Sequence, residues 1–579
     1  MQAKGSNTTN LFQHMREHHP IIYAEIAPKA PKQGSSAQAS LSDVIAKSTK
    51  YSPSSAQAKE LNRAVTYYLA KDAVPLSTVD KPGFRHMVSK LNPRYHLPSR
   101  KHFSDQEIPQ LYSHVRDSVV MPALKEAESF SATTDLWTSA ATEPYMTLTV
   151  HFIDKMWNLQ SFCLDTVPIF VDHTGQNIAD AVMDIFDNWQ LSTDKLVAAT
   201  TDNGSNIVAA FNTLNLLRIS CFGHNLDLAI KKGLNITQIQ RALGRCHSLV
   251  ELFHRSWKKN RDLRQKQQLL NLPQHKLKGE VATRWGSTYE MVSRIVEQQQ
   301  ALSAVLAEDR KNWHKMPSDA EFSVLETVVG VLKPLSYLTD ALSGEKEVTA
   351  SAVVPLLKHV KAKCTPTTGS SRLAKEMQTT IWSDIEPRYS SHVVLDTLSI
   401  ASFLDPRFKD HYLQDKEGTL LSVKGKCLEV SVDLNTPSEN SQSTTASPST
   451  TEDTTTRTEA PPAKRLKGLA AVLQHISNEE GAANAQPTLS PAEKIDKEIQ
   501  AYLDLPVALS DTNPLTWWRM EHASFPHLAK VARKYLCICG TSVPSERVFS
   551  TAGHVCNDSR SRLLPENVNK LIFLAKNMK

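Results

Sequence analysis

The stretch that most restricts the fold runs from Ser129 to Gly223, where the hydrophobic period switches repeatedly between two and three-to-four residues. Three strand-like runs come first: SFSATTDLWTS, PYMTLTVHFID and LQSFCLDTVPI. The middle one sets Tyr145, Thr147 and Thr149 against Met146, Leu148 and Val150, the alternation of a half-buried strand. TGQNIADAVMDIFDNW then reads as a helix opened by Thr174 as its cap, KLVAATTDN as a buried strand, GSNIVAAFNTL as a helix and RISCFG as a last short strand. Three consecutive strands, then helix, strand, helix, strand, predict a mixed sheet of α/β class.

The flanks are different. Residues 58–125 and 224–525 place apolar side chains at helical spacing, so the 579-residue chain reads as several domains or as one domain with a large insertion. Residues 1–20 are a polar piece, and the Ala/Ser/Pro/Lys-rich residues 21–57 read as a linker. Thr436–Gly468 has almost no large apolar side chains to offset the entropy of ordering and is expected to be disordered. It ends in PPAKRLK, where Lys464, Arg465 and Lys467 form either a cluster of the kind nuclear import receptors read or a chance basic run at a linker edge.

Composition excludes some classes. Lys plus Arg number 66 against 60 Asp plus Glu, so a net charge of +6 does not imply wholesale coating of nucleic acid, although basic patches remain open. No run approaches the ~18 apolar residues of a membrane span, so no membrane partner is expected. MQAKGSNTTNLFQHMREHHP has no apolar signal core, which argues against secretion. Eight cysteines scattered over the chain suit reduced thiols better than a disulfide framework.

Two carboxylates draw attention. Asp135 lies in the first strand-like run and Asp202 at the C-terminal end of KLVAATTDN, where open α/β sheets commonly host function. If the first and fourth strands are neighbours, the two acids meet at one edge, and paired acids suit Mg²⁺ and phosphoryl transfer. The bland alternative makes Asp135 a turn residue and Asp202 a helix N-cap.

SATTDLWTS, TTDNGSNIVAAF, CFGHNLDLAI, RWGSTYEM, ASFLDPRFK and SVPSERVFSTAG, taken in this order, resemble the signature segments of hAT-superfamily transposases and of the BED-type zinc-finger proteins derived from them. The resemblance implies an RNase-H-like mixed sheet core (126–222 and 526–579) interrupted by an all-helical insertion (223–525), after a helical, DNA-binding-like N-terminal domain (58–125). It supplies a third acid, Glu546 of the Ser-Glu-Arg segment, to join Asp135 and Asp202 in a Mg²⁺-dependent catalytic set. Pro544 and a capping Ser542 would start the Glu546 helix, and Val548, Phe549 and Ala552 would turn it onto the sheet. His224 is implied near the DNA. Arg284 and Trp285 match an Arg-Trp pair whose Trp stacks on a displaced base; on its own, Trp285 reads as a core aromatic. The basic run HRSWKKNRDLRQKQQ either follows phosphates or is a solvated helix face.

The N-terminus departs from the family. His14 and His19 match the second half of a BED finger, but no cysteine precedes Cys163, so zinc is expected only if a longer chain supplies the missing pair. At the other end, Trp517, Trp518, Phe525, Leu528, Val531 and Ala532 fall at helical spacing in the region the family names for dimerisation (about 495–579), as an interface, a core or both. The expectation is a nuclear, double-stranded-DNA-binding homo-oligomer that regulates transcription. An active DDE-type transposase is the competing reading. SUMO ligase activity is a third, implied by family naming alone, with no RING-like Cys/His array behind it.

Overall fold

A computed structural model of the chain describes residues 9–26, 49–139, 142–281, 285–342, 344, 347–433, 490–556 and 563–578. Most of the expected linker, the 436–468 segment and the basic cluster Lys464, Arg465 and Lys467 lie outside the described residues. The chain divides into two compact units, residues 1–64 with 77–100, and residues 65–76 with 101–579.

In the first unit the Tyr95 hydroxyl donates to Asn62 Oδ1 at 2.7 Å, and the Arg94 guanidinium lies 4.5 Å over the Tyr51 ring. Arg85 donates to the backbone oxygens of Val79 and Leu97, tying the helix Pro82–Leu91 to its flanking loops.

The second unit is built on a five-stranded mixed sheet, in the order β3-β2-β1-β4-β5. Its strands are β1 (Phe130–Thr138), β2 (Pro144–Ile153), β3 (Leu159–Pro168), β4 (Leu196–Thr201) and β5 (Arg218–Ser220). The first three pair antiparallel through short turns, while β4 and β5 join parallel to β1 and to each other through helical crossovers. Between β2 and β3 the Asp154 carboxylate accepts from the backbone N–H of Met156 and Asn158 at 2.9 and 2.8 Å, holding a turn in which Trp157 adopts φ 61°. Thr174 caps Gly175–Asn188 as its sequence suggests, accepting from Asn177 N at 3.2 Å.

β3 is an edge strand, and its free backbone groups are occupied by asparagines rather than by another strand. On the closing helix Pro565–Asn577, Asn577 exchanges hydrogen bonds with Cys163 N and O at 3.0 and 2.6 Å, and Asn569 accepts from Thr166 N at 2.9 Å. Residues 101–126, grouped by periodicity with the N-terminal helices, belong instead with this unit. Phe103 is fully buried there, and Tyr112 packs edge-on against Phe573 at 4.7 Å.

The described residues of 222–433 and 490–536 are helical apart from the connections between helices. Their C-terminal apolar residues point inward. Trp518 is 0% exposed, stacks on Tyr502 at 5.7 Å and on Trp157 at 5.9 Å, and donates to Leu404 O at 2.8 Å. Phe525, Leu528, Val531 and Ala532 are buried with it. Of the two readings open for this helical stripe, core is the one that fits all of it but the half-buried Trp517, and the molecule's own turn at Trp157 covers Trp518. Trp518→Ala should cost about 3–5 kcal/mol by leaving a large cavity and orphaning a carbonyl. A melting-temperature drop of several degrees in a thermal scan checks this.

Candidate active site

The sheet alternation puts Ser131, Thr133 and Asp135 on one face of β1, and Thr200 and Asp202 on the matching face of β4 and its end. The hydroxyls on that face grip a chain segment that arrives after the whole helical region. Ser131 Oγ donates to Cys537 O at 2.7 Å, Thr200 Oγ1 donates to Cys539 O at 2.6 Å, and Thr133 Oγ1 shares a 2.6 Å hydrogen bond with Ser545 Oγ. The residue after Ser545 is Glu546. It sits in the first turn of the return helix Val543–Val555, whose Val548 and Ala552 are buried, while the half-exposed Phe549 packs edge-on against Trp137 at 5.2 Å.

The two aspartates follow from register. β1 and β4 are parallel neighbours with Thr133 opposite Thr200, and two residues further along each chain stand Asp135 and Asp202. The Asp135 carboxyl is pushed up to about 7, first by burial, then by the charges of Asp202 and Glu546, against one hydrogen bond from Leu136 N–H. Three acids from distant parts of the sequence thus lie within electrostatic reach of one another.

Their immediate partners differ from those the sequence suggests. Asp202 is not the helix N-cap: that position is Gly204, and Asp202 Oδ1 accepts from Gly204 N at 3.1 Å in a local turn. Ser542 does not cap the return helix with its side chain. Its hydroxyl donates to Glu546 Oε1 at 3.1 Å and its backbone N–H to Cys221 Sγ at 3.3 Å. The same sulfur accepts from His224 N at 3.5 Å, so one buried thiol caps the helix Phe222–Leu234 and anchors the return segment. His224 is half-buried in that first turn, close to the start of the Glu546 helix. The short motif RISCFG also hides Arg218, which sequence reasoning passed over. Its Nη1 donates to Asp202 O at 2.9 Å and to Thr201 Oγ1 at 3.2 Å, setting a fixed cation beside the aspartate loop.

Oxygen donors of this kind suit a hard divalent cation such as Mg²⁺, whose charge would relieve the repulsion that raises Asp135. Among the described residues no three His, Cys, Asp or Glu side chains already converge as a ready-made metal cluster. The three acids would have to close on an ion.

The remaining expected site residues separate from this cluster. Trp285 is 3% exposed and packed in the helical core, with its backbone N–H donating to Asp227 Oδ1 at 3.1 Å. As the chain is arranged its ring offers no face to a base, and the core-aromatic reading is the one that fits. Arg284 lies outside the described residues. His14, in the helix Thr9–His18, and His19, at the break before Pro20–Ile26, are both exposed, with ring centroids 5.8 Å apart.

Three family models match the chain in order: the ZBED1 RNase-like domain over residues 133–224, the ZBED1 RNase-like helical domain over 219–331, and the hAT family C-terminal dimerisation region over 498–578. Together these matches support a BED-type protein derived from a hAT transposase. Zinc finger BED domain-containing protein 4 of Homo sapiens is 26% identical over 91% of this chain and 44% of its own length. The putative AC transposase of Zea mays is 25% identical over 99% of this chain and 70% of its own length. The putative transcriptional regulator tpeD of Talaromyces stipitatus is 22% identical over 89% and 61% respectively. The chain thus spans less than half of the human relative. The match to the RNase-like domain begins two residues before Asp135, and the dimerisation region contains Glu546, so the three acids lie in two separately matched segments.

The raised Asp135 carboxyl has a definite pH signature in the metal-free hAT protein. The folded chain holds a proton that the unfolded chain releases between pH 3.8 and about 7, so this group's contribution to stability falls as pH rises through that window. Asp135→Asn should therefore be neutral in acid and stabilising by about 1–3 kcal/mol above neutrality, the full shift being partly screened by solvent. Thermal melts of both proteins across that range, in the presence of a chelator, check the sign.

Proposed function

We propose that the chain is a self-associating, double-stranded-DNA-associated protein of hAT ancestry that works in the nucleus as a regulator of transcription. The observation that carries this reading is the ordered run of RNase-like, helical and dimerisation segments along one chain. Relatives named as BED zinc-finger proteins and as a transcriptional regulator support it. Among the described residues no helix is long and apolar enough to cross a membrane. With the Trp518 stripe buried, the exposed large apolar side chains of the dimerisation region, among the described residues, are Leu505, Val507, Leu509, Met520, Phe549 and Leu564, with Leu509 and Met520 the most exposed at 75% and 69%. Light scattering at micromolar concentration should give a dimer or larger species. Leu509→Glu combined with Met520→Glu should shift it toward monomer while leaving the melting temperature within a degree or two. A parent protein that is monomeric counts against the reading.

A second reading, Mg²⁺-dependent cleavage and strand transfer of DNA, is favoured by one observation: Asp202 and Glu546 both act on Asp135. Mg²⁺ bound by these three acids would stabilise charge on the attacking and leaving oxygens of a phosphodiester. In this scheme Ser542 orients Glu546, Arg218 holds the loop that carries Asp202, and the half-buried setting of Asp135 limits water around the reacting phosphate. Saturating Mg²⁺ or Mn²⁺ should then raise the stability of the parent by about 2–3 kcal/mol at a hundredfold excess over Kd. Asp135→Asn should lose most of that response and any metal-dependent nicking. A metal shift without nicking leaves the regulator and removes the enzyme.

A further inference from the structure

The helix Trp257–Leu269 starts with an indole that the fold leaves largely in solvent. Trp257 is 76% exposed, an unusual position for a tryptophan in a chain that buries Trp157, Trp189, Trp285 and Trp518. Arg261 and Arg264 stand four and seven residues further on, the spacing that brings side chains to one helical face. The Arg261 guanidinium lies 5.4 Å from the Trp257 ring centroid and also pairs with Asp262 at 2.8 Å. Across from this face runs the connection that carries Lys276. The two enclose a cleft of about 440 Å³ whose lining includes Leu277 and His254 and no carboxylate. His254 is held in place by Leu277 O, with Nε2 at 3.3 Å. Two other cations of this helix are already matched: Lys259 pairs with Asp309, and Lys266 with Glu308 at 2.6 Å. Arg264 and Lys276 form no ion pair among the described residues, and both are exposed.

A flat aromatic surface beside unmatched cations, in a cleft free of acids, has a specific complement. A polyanion such as an acidic peptide would use the cations and leave the indole idle. A nucleotide uses both, with its base on the ring and its phosphate on the guanidinium or ammonium. A base face is available only where the strand is unpaired. We propose that this cleft binds an unpaired stretch of DNA, one base stacking on the open face of Trp257 and the flanking phosphates held by Arg264 and Lys276. This rests on the DNA-associated reading above and adds a place and a strand state to it. The cleft is lined by none of the acidic-site residues, nor by Trp285.

Fluorescence anisotropy of labelled oligo(dT), against a duplex of mixed sequence, tests it on the full chain. Trp257→Ala should weaken oligo(dT) binding about 5- to 100-fold, with Trp257→Phe retaining most of the affinity and duplex binding unchanged. Arg264→Ala with Lys276→Ala should lower the slope of log affinity against log salt by about 0.7 for each phosphate no longer neutralised. All four side-chain changes are at exposed positions, so an unchanged melting temperature serves as the folding control. Binding of the duplex but not of oligo(dT) overturns this inference and leaves the general DNA reading intact. Failure to bind either nucleic acid removes both. Equal displacement of oligo(dT) by polyglutamate, with no loss on Trp257→Ala, marks the cleft as a generic polyanion patch and overturns the proposal.

Discussion

Three hydroxyl groups on one face of the sheet hold the rest of this molecule in register. Ser131 and Thr200 bond to the carbonyls of Cys537 and Cys539, and Thr133 bonds to Ser545, across a sequence separation of 412 residues in the last case. All three are buried, so each hydrogen bond is made where its loss would leave an unpaired polar group in the interior. The junction is close-packed as well. Gly540 donates to Thr349 Oγ1 and accepts from Phe222 N, and a Cβ at Gly540 would meet Thr349 O at 2.8 Å. A single glycine therefore lets the sheet, the first helix after it and the far helical region share one point.

That junction explains how a site can be assembled from acids so far apart. Once Ser545 is fixed to Thr133, Glu546 can only emerge near the strand ends where Asp135 and Asp202 stand. Burial first, and then the charges of Asp202 and Glu546, raise the Asp135 carboxyl; this is a cost the metal-free fold carries, and the sheet's buried hydroxyl groups hold the acids together against it. Arg218 moderates the charge from the backbone side of Asp202, and the Cys221 thiol ties the starts of two helices to the same place.

The helical region divides its aromatics in two. Trp518, Tyr502 and Trp157 form a stacked core, with the buried Lys409 donating to Tyr502 O at 2.6 Å and lying 4.8 Å over the Tyr502 ring. Trp257 stays in solvent beside cations. Burial in the first group gives stability, while exposure in the second leaves an aromatic face open to solvent. A tryptophan's helical spacing alone does not distinguish these fates, and that is why the C-terminal stripe stays open in the sequence between an interface, a core or both.

The order of strands and helices from Phe130 to Ser220, the Thr174 cap and the strand positions of Asp135 and Asp202 were legible in the sequence, because periodicity, capping and strand-end position are local properties of a few neighbouring residues, whereas Glu546 was implied only by the family resemblance of its segment. The tertiary structure alone decided which strands are neighbours, that residues 101–126 pack on the closing helix, that Ser542 serves Glu546 rather than the helix backbone, and that Trp285 and Trp518 are core. Each of those outcomes depends on a partner far away in the sequence, as Asn577 is from Cys163 or Cys537 from Ser131, and no local pattern encodes the identity of a distant partner. Arg218 was invisible for the same reason: an arginine opening a three-residue strand carries no signal until the parallel register brings the Asp202 loop beside it.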